Sequence, residues 1–278
     1  MPPAQADSGR ARAEGGRAAT SSSVRIPLAA IPTDLSEGDA AAERYRRTWL
    51  VDGVGLEGQA RLAAARVLVV GAGGLASPVV MYLAAAGVGT LGICDSDAVE
   101  ASNLQRQILH GEDAVGTNKA QSARRAVERL NSGVRTHLYG HVSRDWLEEH
   151  GGQWDLVVEC TDTFAAKYMV ADWCAQAGVP LVWGTVVAMS YQVSVFWSQP
   201  PPGLPATTLR MLHPRIPVPG TTPSAAQAGV LGPVVGQAGA VMATEAIKLI
   251  TGAGQPLLGR VMVADAARGR FDVLPFAA

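Results

Sequence analysis

Val67-Leu-Val-Val-Gly71-Ala-Gly73-Gly74-Leu-Ala76 decides the fold. Four aliphatic residues read as a strand buried on both faces, and the glycines after them as a tight turn into a helix. Gly71-x-Gly73-x-x-Ala76 fits the dinucleotide-type fingerprint, with alanine permitted at the last position. Glycines let the backbone approach a phosphate, and the N-terminus of the following helix offers free N–H groups to an anion. Asp95 falls at the end of the next strand, near the spacing of about 20 residues at which an acid hydrogen-bonds ribose hydroxyls. Glycines that merely pack helix on strand would look similar, and the turn alone does not choose between NAD and ATP.

Outward from this stretch the chain alternates. Helical spacing is expected over Leu75–Ala86, with Pro78 tolerated in the first turn. A strand follows at Thr90–Cys94, then a helix at Lys119–Leu130 capped by Asn118, where Ala120, Ala123, Val127 and Leu130 share a face. Leu156–Cys160 reads as a third strand, Phe164–Ala177 as a helix and Val179–Val187 as a strand. The predicted class is α/β: a Rossmann-like, doubly wound, mainly parallel sheet. Tyr191–Trp197 and a terminal hairpin, Arg260–Ala264 with Arg270–Leu274, supply antiparallel C-terminal strands. The proline- and glycine-rich stretch 199–223 reads as loop, and Val234–Ile250 as an apolar helix. Residues 1–42 read as a disordered extension. The nucleotide-binding part is expected over about 43–187, and a carrier-binding and C-terminal part over about 188–278.

A triphosphate needs cations, and in-line attack on phosphorus needs stabilisation of the charge that develops. Arg106 can fork two oxygens. Lys119 supplies a point charge at a helix start, and Asp162, just past a strand, can hold Mg2+ through oxygen. Taken singly, Arg106 and Lys119 read as solvated charges and Asp162 as a helix cap. Their joint placement favours a site.

Several stretches together resemble the MoeB/ThiF/HesA family, bacterial relatives of ubiquitin-activating enzymes. They are Arg44-Tyr-Arg-Arg47, Gly71-Ala-Gly-Gly-Leu, Ala86-Gly-Val-Gly89, Asp95-x-Asp97, Ser102-Asn-Leu-Gln-Arg-Gln107, Val115-Gly-x-x-Lys119, Asp155-Leu-Val-x-x-Cys160-Thr-Asp162 and Ala243-x-Glu245-Ala-Ile-Lys248. The resemblance implies adenylation of the C-terminal glycine carboxylate of a ubiquitin-like sulfur carrier of the MoaD/ThiS type. It implies that ATP is consumed with Mg2+ as cofactor and that pyrophosphate is released. It places ATP against Gly71, Gly73, Gly74 and Asp95, the run Ser102, Asn103, Leu104, Gln105 and Arg106, then Lys119, Asp162 and Thr163. Arg106, Lys119 and Asp162 would be catalytic, with Asp162 on Mg2+. Arg47 would reach the neighbouring subunit's site, which implies a homodimer. The sulfur donor would be a separate protein.

The chain also departs from that family. Thr207 and Thr208 stand where many relatives carry the first Cys-x-x-Cys pair, so no structural zinc is expected and the terminal hairpin is expected to dock by apolar contacts alone. Ala225 stands where relatives commonly have a cysteine. Thr163 and Thr48 replace a common asparagine and glutamine. Cys160 and Cys174 lie in apolar contexts where thiols are inert. Alternative readings are adenylation of a peptide or another carboxylate in specialised biosynthesis, or a non-catalytic ATP-binding scaffold. No hydride-transfer constellation supports a nicotinamide oxidoreductase.

A net charge of -1 gives no footprint for nucleic acid or an anionic membrane. No apolar run reaches the roughly 18–20 residues that span a bilayer. Three cysteines do not make a disulfide framework and fit a reducing compartment, so a cytoplasmic location is expected.

Overall fold

The computed structural model describes residues 24–31, 40–218, 220–221 and 225–277. In chain order these form α1 (Ala40–Trp49), α2 (Gly55–Ala64), β1 (Arg66–Val70), α3 (Ala76–Ala85), β2 (Thr90–Cys94), α4 (Lys119–Leu130), β3 (Arg135–Tyr139) and α5 (Arg144–His150). There follow β4 (Leu156–Glu159), α6 (Phe164–Ala177), β5 (Leu181–Val187), β6 (Ser190–Phe196), the short α7 (Leu209–Leu212) and α8 (Ala225–Ala228), α9 (Gly232–Thr251), β7 (Arg260–Asp265) and β8 (Arg270–Pro275).

The strands join in one sheet, ordered β3-β2-β1-β4-β5-β6-β7-β8. From β3 to β5 all neighbours are parallel; β5 to β8 pair antiparallel. Strand β1 alternates its load. Val67 and Val69 enter a core shared with Leu62 of α2, Leu83 of α3, Val127 of α4 and Met242 and Leu249 of α9. Leu68 and Val70 enter a second core with Leu147 of α5 and Val170 and Trp173 of α6. Both faces of β1 are therefore covered, as its unbroken aliphatic run requires. The chain leaves β1 for β2 on one side and returns to β4 on the other, so a crevice opens between the C-terminal ends of β1 and β4.

Local signals explain the helix ends. The Asn118 side chain accepts the Gln121 N–H at 3.1 Å and starts α4. Helix α6 stops at Gly178, whose φ of 71° is left-handed. Two elements differ from expectation. Residues 24–31, read as part of a disordered extension, are docked: Ile26 is buried and its N–H donates to Leu249 O at 2.9 Å. The buried Arg61 guanidinium donates to Ile26 O and Ile250 O. Residues 1–23 and 32–39 of that extension lie outside the described residues. The terminal hairpin is not docked by apolar contacts alone. Strand β7 shares a ladder with β6, and Ser194 Oγ of β6 donates to Arg260 O at 2.8 Å.

The entry into β2 is tight. A methyl group on Gly89 would lie 1.8 Å from the Ala63 carbonyl oxygen at the end of α2. Gly89→Ala is expected to cost about 1–3 kcal/mol or more by forcing backbone apart. It would show as a lower urea midpoint at unchanged slope; an unaltered midpoint would mean that this crossing gives way freely.

Candidate active site

The glycine turn fills the crevice. Gly71 has φ 98°, its N–H donates to Cys94 O at 2.8 Å, and a methyl on it would lie 2.9 Å from Cys160 O. The turn thus touches the ends of both β2 and β4. Asp95 closes it from the β2 side: Ala72 N–H donates to Asp95 Oδ2 at 2.7 Å, and Asp97 N–H to Oδ1 at 2.8 Å. Each oxygen keeps a lone pair for a ribose hydroxyl. Gly73 and Gly74 donate no N–H within the described residues. Gly74 also has a packing reason to be glycine, since a methyl there would lie 2.7 Å from Val235 Cγ1 on α9.

Ser102 to Gln107 forms the next wall. Ala101–Asn103 is a single 3-10 turn, tied by Glu100 N–H donating to Asn103 Oδ1 at 3.2 Å and Ser102 Oγ donating to Glu100 Oε2 at 3.0 Å. Asn103 is buried, Leu104 is half-buried, and Ser102 and Gln105 are exposed. The Arg106 guanidinium donates to Ser102 O at 3.2 Å, and its Cγ would lie 3.7 Å from a methyl on Gly74. The start of α9 presses on this wall: a methyl on Gly232 would lie 2.3 Å from Gln105 O.

Lys119 is nearly buried at the start of α4, and its Nζ lies 3.1 Å from Oδ2 of the exposed Asp97. One ammonium proton is used there, leaving two for an anion. Asp162, past the end of β4, is exposed and has no hydrogen bond or ion pair among the described residues. It does not cap α6, as a purely structural reading would have it. Thr163 does, accepting the Ala166 N–H at 3.2 Å. Arg47 stands apart. It is exposed on α1, and that helix is anchored where Arg44 donates to Leu130 O and the Tyr45 hydroxyl accepts from Asn131. Those anchors lie at the C-terminal end of α4, the end of the sheet remote from the turn.

Three buried polar residues were not anticipated. Glu159 and Lys167 are 0% and 3% exposed and pair at 2.7 Å, with Lys167 also donating to Gly184 O at 2.7 Å. Glu159 accepts both Thr161 donors, the N–H at 2.7 Å and the hydroxyl. It therefore fixes the bend that delivers Asp162. A charged residue inside each of two apolar elements, one acid and one base, was the available signal. His110, also buried, bonds the glycine turn at Ala72 O. The thiols Cys94, Cys160 and Cys174 are buried, and burial pushes each well above the ordinary thiol range. Among the described residues no cluster of three His, Cys, Asp or Glu side chains could hold a metal.

Residues 45–278 match the ThiF family. The chain belongs to the ThiF family. A relative, the probable adenylyltransferase/sulfurtransferase MoeZ of Mycobacterium tuberculosis, is 47% identical over 241 residues, which cover 86% of this chain and 61% of MoeZ. The sulfur carrier protein adenylyltransferase of Thermus thermophilus is 41% identical over 233 residues, covering 84% and 86% of the two chains. Among solved structures, MccB of E. coli superposes with a TM-score of 0.74 at 22% identity, over 84% of this chain and 72% of that one. That likeness supports the ThiF-type fold, an α/β sheet with antiparallel strands at its C-terminal end.

In this ThiF-family chain, Lys167→Met would leave the buried Glu159 carboxyl without its ion-pair partner. The expected loss is about 3–5 kcal/mol in urea unfolding, while Glu159→Leu with Lys167→Met should recover most of it. Equal midpoints for wild type and Lys167→Met would show that the pair contributes nothing to stability.

Proposed function

We propose that this chain adenylates the C-terminal glycine carboxylate of a ubiquitin-like sulfur carrier at the expense of ATP. The observation that carries the reading is the convergence on one glycine turn of unused N–H groups, two cations and an unpartnered carboxylate. A close relative named for sulfur carrier adenylation supplies the substrate class.

In the reaction a carboxylate oxygen of the carrier attacks the α-phosphorus. The bond from that phosphorus to the bridging oxygen breaks, giving an acyl-adenylate and pyrophosphate. Asp95 would orient the ribose, and Gly73 and Gly74 would offer N–H groups to phosphate. Arg106 and Lys119 would neutralise charge growing on the transferring and leaving groups. Asp162 would hold Mg2+ together with phosphate oxygens, the ion supplying charge neutralisation on the leaving pyrophosphate. A lone exposed carboxylate suits this ion, which keeps waters and leans on substrate phosphates. No enzyme nucleophile is needed, and the buried cysteines are unsuited to be one. Sulfur would come from a separate donor. The carrier would meet the antiparallel half of the sheet, where edge strand β8 exposes Phe271, Val273 and Leu274. No helix among the described residues is long and apolar enough to cross a membrane, in keeping with a cytoplasmic setting.

Arg47 is remote from its own turn and so would act in trans, across a homodimer with shared sites. The test is pyrophosphate–ATP exchange with a carrier ending in Gly-Gly. Arg106→Ala and Asp162→Ala are each expected to lower exchange by about 10^2 to 10^3-fold or more with the fold intact. ATP binding without exchange for any carboxylate would favour a scaffold, and exchange only with a short peptide would move the substrate class. Arg47→Ala mixed with Asp162→Ala should regain about a quarter of wild-type exchange, because half the dimers then hold one intact site. No recovery after confirmed subunit exchange would place Arg47 outside the site.

A further inference from the structure

We propose that His110 is a positioning residue for the nucleotide, aiming the Gly73 N–H at the phosphates through the carbonyl of Ala72. The inference rests on the adenylation reading for its ligand. His110 is buried, and its Nε2 lies 2.8 Å from Ala72 O. A carbonyl oxygen only accepts, so Nε2 carries the proton. Nδ1 lies 2.9 Å from Ser122 Oγ on α4 and accepts from that hydroxyl while the ring is neutral. Burial lowers the His110 pKa foremost; the bond to Ala72 opposes this, Lys119 of α4 adds to it, and Asp95 at the end of β2 opposes it. The ring is therefore neutral with its tautomer fixed from both sides.

A trans peptide is planar, and its C=O and N–H point in opposite directions. Holding the Ala72 carbonyl toward His110 turns the Gly73 N–H away from it. The Gly73 carbonyl is held in turn by Ser77, whose N–H and Oγ donate at 3.0 Å and 2.9 Å, and this sets the Gly74 N–H. Leu109 N–H donates to the same Ser77 Oγ at 3.3 Å. Both peptide planes of the turn are thus fixed from the Leu109–His110 backbone and ring, and neither glycine N–H meets an acceptor among the described residues. The strut has a second consequence. His110 lies four residues past Arg106 in the chain, and Ser122 lies one turn past Lys119 on α4. One side chain therefore links the segments that carry both cations to the turn.

A merely structural histidine would lower stability and weaken all ligands alike, whereas an aimed N–H matters only for phosphate. His110→Gln keeps a donor at the Nε2 position, His110→Asn moves it to the Nδ1 position, and His110→Phe removes it. The experiment is calorimetric titration of each full-length variant with ATP and with adenosine. In His110→Phe and His110→Asn the ATP Kd is expected to rise about tenfold, with His110→Gln within about threefold of wild type and adenosine unchanged within about twofold. Equal weakening of ATP and adenosine, a His110→Gln as weak as His110→Phe, or a His110→Phe like wild type would each overturn the inference. Should His110→Phe fail to fold, the contrast between His110→Gln and His110→Asn decides. A wild type that binds ATP beside an indifferent His110 series overturns this inference alone; a wild type that binds no ATP overturns the adenylation reading with it.

Discussion

Gly71 leaves β1 with its α-carbon pressed between two neighbouring strands. Its N–H is spent on Cys94 O of β2, and any side chain would collide with Cys160 O and Thr161 N past β4. Its φ of 98° lies in the region that L-residues avoid. No other residue satisfies both conditions without prising β1 away from β2 or β4. This close passage brings the rest of the site within reach. The Ala72 N–H meets Asp95 because the turn hugs β2, and the turn reaches Thr161, next to Asp162 in the chain, because it hugs β4. The position of the site follows from where the strand order switches, between β1 and β4.

The polar groups around the turn divide by burial. Glu159, Lys167 and His110 are enclosed and bonded to the backbone; Asp162 and Asp97 are exposed. An enclosed ion pair is a poor way to gain stability, because desolvation offsets most of the attraction, and apolar replacements of similar volume are often neutral. Its value here lies in direction. Glu159 takes both Thr161 donors and Lys167 ties that carboxylate to β5 through Gly184 O, so the chain can leave β4 along one path only. His110 does the corresponding work on the Ala72 carbonyl. Enclosed groups fix backbone orientation, and the carboxylate they deliver keeps its lone pairs for a ligand.

Much of this was legible in the chain because local signal and packing agree. Helix α4 runs from Lys119 to Leu130 with Asn118 as its cap, and α6 from Phe164 to Ala177 before Gly178, as periodicity and capping indicate. The edge strand β3 was missed. Arg135 and His137 face solvent, which dilutes the apolar run that marked the central strands. The docked segment 24–31 was missed for another reason: its composition is that of a tail, and its partners, Arg61 and Leu249, are distant in sequence. The wall from Ser102 to Gln107 was legible as a motif but not as a shape. Its position depends on Gly232 lying against Gln105 O, a contact between segments more than a hundred residues apart. His110 sits three residues past the same motif, yet its meaning lies in Ala72 and Ser122, which only the fold brings to it.

The antiparallel half of the sheet shows how the long loop after β6 acquires a defined path. Thr207 fastens the loop to the end of β6. Its N–H donates to Trp197 O at 2.8 Å and its hydroxyl accepts the Trp197 N–H at 3.1 Å. A few residues on, Arg210 grips both oxygens of Asp172 at 2.8 and 2.7 Å and lies over the Tyr168 ring. The Tyr168 hydroxyl is shared between His213 O and Arg215 O. Asp172 and Tyr168 both belong to α6, the helix that starts just past Asp162. The loop is thus fastened to the same helix that the proposed Mg2+ ligand immediately precedes. A displacement of α6 that moved Asp162 would drag residues 207–215 with it, so the antiparallel half of the sheet and the glycine-turn side share one rigid element.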